Sequence, residues 1–113
     1  MTHGIYIASR VHHAANWRAL RDNTGQWPIV ATWIDESLAG QSAITTMWSR
    51  INQEVKDCAA LLFYAQPDDF PFKGALVEVG MALAFNKPVA CVLPGVRLAR
   101  RTYRPVGSWV THP

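Results

Sequence analysis

Cysteine is nearly absent from this chain, with two residues in 113, Cys58 and Cys91, each set among apolar neighbours. Such spacing argues against a disulfide or a thiolate metal site, so each thiol is expected to pack as a small hydrophobe. Long apolar runs are missing as well. No stretch approaches the ~18 to 20 apolar residues that cross a bilayer, and the opening MTHGIYIASR lacks the basic start and apolar stretch of a signal peptide. A cytoplasmic location without a membrane partner is the expectation. Glycine-rich phosphate loops are absent too, since neither G-x-G-x-x-G nor a Walker lysine follows Ala8. The four histidines show no ligand spacing, so neither a metal nor a cofactor is expected.

Half of the residues are apolar, enough for one continuous core, and residues 1–113 read as a single domain. The net charge of +3 suggests nucleic acid until the charges are located. Arg97, Arg100, Arg101 and Arg104 crowd into one late segment, which leaves seven basic against eight acidic residues elsewhere. The cluster reads either as a phosphate or nucleic-acid patch or as a solvated loop or subunit contact. Only Tyr103 interleaves with it, so the solvated reading is preferred and nucleic acid is not the expected partner.

Hydrophobic patterning gives alternating strands and helices. Gly4 to Ala8 is a first strand that meets the polar turn Ser9-Arg10. A helix over about His12 to Asn23, carrying Ala15, Trp17, Ala19 and Leu20, ends at Asn23-Thr24-Gly25. Pro28 to Trp33 reads as a second strand, and Ile34 to Gly40, acidic and small, as a loop. Ile44, Met47, Trp48, Ile51 and Val55 recur at helical spacing, so a helix is expected from about Ser42 to Asp57. Ala59 to Ala65 is apolar throughout, as a central parallel strand should be. Gln66 to Phe72 is a loop, Gly74 to Phe85 a helix stopped by Asn86-Lys87-Pro88, and Val89 to Leu93 a fourth strand, with a short last strand at Ser108 to Thr111. Such alternation predicts right-handed βαβ units: an α/β, Rossmann- or flavodoxin-like three-layer sandwich with a parallel sheet of four to five strands. Ligands of such sheets bind beyond the carboxyl ends of the strands. That edge gathers Tyr6, Ser9 and Arg10, then Trp33, Asp35 and Glu36, then Gln66 to Asp69 and the helix starting at Gly74.

Glu78 stands out as the only ionisable residue in the run ALVEVGMALA, Ala75 to Ala84. A carboxyl on so apolar a helix costs several kcal/mol unless it is hydrogen-bonded or faces a cavity. Near the start of the helix the backbone dipole favours its anion, and an ionised carboxylate in a dry pocket can attack an anomeric carbon. The alternative is a helix-edge carboxylate that caps or pairs with Lys73 or Arg10.

The segment KGALVEVGMALAFNKPVACVLPG, Lys73 to Gly95, resembles the helix-and-strand signature of the nucleoside 2-deoxyribosyltransferase family, in which Glu-x-Gly precedes an Ala-rich helix end and a Lys-Pro-Val-like strand. GIYIASR is similar to that family's first strand and glycosyl-site turn, and Asp57-Cys58-Ala59 to its Asp-containing approach to the third strand. The resemblance implies a Glu that attacks C1′ of a 2′-deoxynucleoside, displaces the base and holds the sugar as an ester until a second base or water takes it. It places that nucleophile on Glu78, an orienting hydroxyl on Tyr6, and phosphate or sugar contacts on Ser9 and Arg10. It also implies a homodimer or larger oligomer whose neighbour completes the pocket. Two positions depart from the family: Ser49 and Phe72 stand where Asp residues usually assist base departure.

Asp35, Asp68, Asp69 and Glu36 are candidates to replace those carboxylates, each against the alternative of a solvated or capping loop acid. Gly80 is expected to allow close packing of its helix, and His12 and His13 to be a solvated pair at a helix start. Trp33 and Tyr64 could stack on a base, although strand-end aromatics more often belong to the core. The leading expectation is cleavage or exchange of an N-glycosidic bond on a deoxynucleoside or its 5′-monophosphate through Glu78, with Tyr6, Ser9, Arg10, Trp33, Asp35, Asp69 and Gly74 around it. The competing expectations are a non-catalytic nucleotide sensor with the same pocket and cleavage of NAD-like nucleotide derivatives.

Overall fold

The computed structural model describes residues 4–24, 28–39, 44–96 and 111–112. Three parallel strands carry the sheet: β1 (Ile5–Ala8), β2 (Ala60–Tyr64) and β3 (Val89–Val92), with β2 in the middle. Their register pairs Tyr6 with Leu61 and Phe63 with Cys91. A two-residue strand, β4 (Thr111–His112), lies parallel beside β3. Helices α1 (Ala14–Thr24), α2 (Trp33–Ala39), α3 (Ile44–Asp57) and α4 (Gly74–Ala84) make the connections, with 3₁₀ turns at Val11–His13 and Pro67–Asp69. The chain is therefore α/β with a parallel sheet, compatible with a flavodoxin-like arrangement, but three full strands stand where four to five were expected.

The missing strand is Pro28 to Trp33. It contributes only a single bridge, Ile29 beside Ile5, closed by Ile5 N–H to Pro28 O at 2.8 Å and Val30 N–H to Ile5 O at 3.1 Å. Helix α2 then begins at Trp33, inside the expected strand and over the expected loop at 34–40. Its physical cause lies in the first turn, where the Thr32 carbonyl accepts from the amides of Asp35 and Glu36 and the two acids complement the positive helix end. The expected last strand is described only at Thr111–His112; 108–110, like the Arg97 to Arg104 cluster, lie outside the described residues.

The core is built where the sequence is most apolar. β1 buries Tyr6, Ile7 and Ala8 completely, and β2 buries Leu61 and Phe63. From α3 come Ile51 and Val55, and from α4 come Ala75, Val79 and Ala82, so the two helices pack on each other, and α4 lies against the sheet. Alternation along β1 sends Tyr6 toward the helices and Ile7 to the opposite face. Cys58 and Cys91 are buried free thiols. Among the described residues no helix is long and apolar enough to cross a membrane.

Candidate functional site

A cavity of ≈590 Å³ opens at the carboxyl ends of the strands, within the range of small-molecule sites. Its polar contributors are Ser9, Arg10 and His12 after β1, Lys73 at the start of α4, and Glu78. Apolar lining comes from Trp33, from Met47, Trp48 and Ile51 on α3, and from Phe72. The three α3 residues share the face whose spacing identified that helix, so the face that packs the core also walls the cavity. Sequence reasoning read their spacing only as one face of a helix.

Glu78 is 8% exposed, and it borders the cavity. Among the described residues it has no ion pair, so neither Lys73 nor Arg10 holds it. Burial pushes its carboxyl up to about 8, the Tyr6 hydroxyl pulls the other way, and the charge of Glu54 pushes further up. Burial thus drives the free carboxyl toward its protonated form at neutral pH. That burial works against the anion expected near the start of the helix. Tyr6 lies beneath it; its buried hydroxyl forms no full hydrogen bond, and burial together with the charge of Glu78 drives its own ionisation far upward.

Glu54 is fixed by its neighbours. Its carboxylate accepts from the Thr32 amide at 3.1 Å and the Thr32 hydroxyl at 2.6 Å. Arg50 bridges from Glu36 to within 3.9 Å of Glu54. Arg50 and Glu54 are one turn apart on α3, but no sequence motif marked the network, because Thr32 and Glu36 reach that pair only in the folded chain.

The remaining expected residues divide. Ser9 accepts from the Trp17 indole N–H at 3.1 Å, and Arg10 donates to the Pro71 carbonyl at 3.1 Å, joining two rims of the cavity. Trp33 lies in the cavity wall with its indole N–H held by the Ile7 carbonyl at 2.8 Å. Gly74 begins α4 at the cavity edge. Asp35 is drawn away into an exposed two-point pair with Arg21, at 2.9 and 3.1 Å. Tyr64 accepts from Gln66 at 2.6 Å and meets His13 and Trp17 edge-on; it is not part of the cavity wall. Asp68 is exposed. Gly80 is exposed, and a Cβ there would meet open space, so close packing is not its role.

Asp69 is buried, and His13 Nε2 lies 2.9 and 3.1 Å from its two oxygens. Burial would raise the Asp69 carboxyl, but the Gln66 amide and the His13 ring overcome it and hold the group below its usual range. His12 Nε2 approaches the same carboxylate at 3.2 Å. The expectation of a solvated histidine pair is therefore corrected: only His12 is exposed, and both rings converge on one acid. The available signal was topological, since Ser9 to His13 and Gln66 to Asp69 both follow strands at the sheet's carboxyl edge.

Compared with known protein families and with curated proteins, the chain matches none.

Proposed function

We propose that the cavity binds a 2′-deoxynucleoside or its 5′-monophosphate and that Glu78 cleaves or exchanges the N-glycosidic bond, as in nucleoside 2-deoxyribosyltransferases. The observation that carries this reading is a nearly buried carboxyl, paired with no cation among the described residues, at the wall of a ligand-sized cavity. A carboxyl kept only for stability would be expected to hold a partner. In the reaction an ionised Glu78 oxygen bonds to C1′ as the C1′–N bond breaks, and the electron pair leaves with the base. An acceptor base or water then displaces the ester and returns the carboxylate. The aromatic and thioether lining suits a sugar and base, and Arg10 and Lys73 suit a 5′-phosphate. The fuller flavodoxin-like arrangement belongs to the same reading, and the single bridge of Ile29 beside Ile5, on the far side of β1 from β2, supports it.

A second reading, a nucleotide sensor without turnover, is favoured by one observation: Glu78 is the only carboxyl among the residues that line the cavity. Incubation with deoxynucleosides and their 5′-monophosphates, with and without a free acceptor base, separates the two by chromatography. Exchanged nucleoside identifies a transferase, free base alone a hydrolase, and binding without either product the sensor. Equal turnover by wild type and Glu78→Gln removes Glu78 from the chemistry. Light scattering of the full chain checks the homo-oligomer that the family reading implies.

A further inference from the structure

Adjacent residues of a helical turn normally point apart and do not share a neighbour. His12 and His13 depart from this: their ring centroids are 4.0 Å apart, and both bring Nε2 to the Asp69 carboxylate, at 3.2 and 2.9 Å. The three potential donor atoms all lie within 4.8 Å of one another. Bonds of ~2.0–2.1 Å to a tetrahedral ion set donor atoms about 3.3 Å apart, close to the histidine–carboxylate separations already present. The donors are also held in place. Gln66 donates its amide to Asp69 at 2.8 Å, and the Tyr64 ring braces His13 edge-on.

We propose that His12, His13 and Asp69 form a three-ligand site for a divalent transition-metal ion of the zinc type. Two imidazoles and one carboxylate suit zinc, cobalt or nickel, whereas magnesium and calcium prefer all-oxygen shells. His13 and Asp69 are buried, but the His12 side chain is 60% exposed, and it borders the cavity. The ion's remaining position therefore opens toward solvent and the cavity mouth, where a water or a ligand oxygen completes the shell. On binding, each imidazole carries its proton on Nδ1 and offers the Nε2 lone pair. Asp69 exchanges two N–H donors for the ion while keeping the Gln66 amide as its outer support. The site stands independently of the role given to Glu78.

Equilibrium dialysis of the full chain, free of added histidines, against micromolar Zn²⁺ and separately Co²⁺ tests the site. The expected result is one bound ion per chain, not displaced by excess Mg²⁺, with visible ligand-field bands for Co²⁺. His12→Gln changes an exposed position, so its circular dichroism and metal-free Tm should match wild type while its Zn²⁺ affinity falls at least about tenfold. Asp69→Asn should weaken binding likewise. Wild type that takes up no stoichiometric Zn²⁺, or a His12→Gln protein that keeps wild-type affinity, overturns the site.

Discussion

At Glu78 two electrostatic effects oppose each other, and burial is the larger. The helix dipole acts within the first turn, whereas Glu78 lies a full turn beyond Gly74 and is 8% exposed. Its carboxyl is accordingly pushed up to about 8, above any value it has in an unfolded chain. The folded state then binds more protons than the unfolded state between about pH 4.5 and 8, so stability falls as pH rises through that window and levels off above it. Burial sets the upward shift, the Tyr6 hydroxyl on β1 opposes it, and the charge of Glu54 on α3 adds to it. Glu78→Gln resembles the neutral form and cannot ionise. Denaturant titrations should show the variant within about 1 kcal/mol of wild type near pH 5 and more stable, by on the order of 4 kcal/mol, at pH 8 to 9. Parallel pH profiles for the two proteins would show that Glu78 titrates normally.

At the scale of elements, α4 shows what patterning conveys and what it leaves out. Its ends were readable because Asn86 takes a left-handed conformation, φ 60°, and the bonds from Lys87 N–H to Ala82 O and Asn86 N–H to Leu83 O close the helix. The role of Gly80 was not readable, since glycine in a helix can serve a close contact or none. With open space around its absent Cβ, Gly80→Ala should stabilise the protein by about 0.5 to 1 kcal/mol. Gly4 is the opposite case: a Cβ there would lie 2.5 Å from the Pro28 carbonyl and 2.1 Å from Val30. Gly4→Ala should lower Tm by several degrees and loosen the Ile29 bridge, which thermal melts of both variants would measure. The strands β1 to β3, and α1, α3 and α4, followed from local periodicity. Helix α2 did not, because PIVATW is rich in residues that favour strands, and the deciding bonds to Thr32 O come only from the turn beyond it. The carboxyl-edge rule gathered Ser9, Arg10, Trp33 and Gly74. It brings the segments of His13 and Asp69, 56 residues apart, to the same edge but does not say which of their side chains meet.

At the scale of the whole molecule, the cavity exists because three successive crossovers deliver their turns to one edge of the sheet. Residues 9–12, Trp33 and 72–75 come from separate connections, and α3 closes the remaining side. Arg10 ties the first of these turns to the third through the Pro71 carbonyl, so the rim is braced across the mouth. Among the described residues nothing at that rim neutralises Glu78 directly, and its ionisation is opposed by burial and by Glu54 and favoured by the buried Tyr6 hydroxyl. If Glu78 attacks as an anion, kcat/KM should rise toward alkaline pH with a limb near its value of about 8. Removing the hydroxyl with Tyr6→Phe takes away the one interaction that lowers that value. The limb should then move to higher pH while the alkaline plateau changes little, a shift that mere loss of packing would not produce. A pH–rate profile of Tyr6→Phe that overlays wild type would show that the hydroxyl does not support the reactive carboxylate.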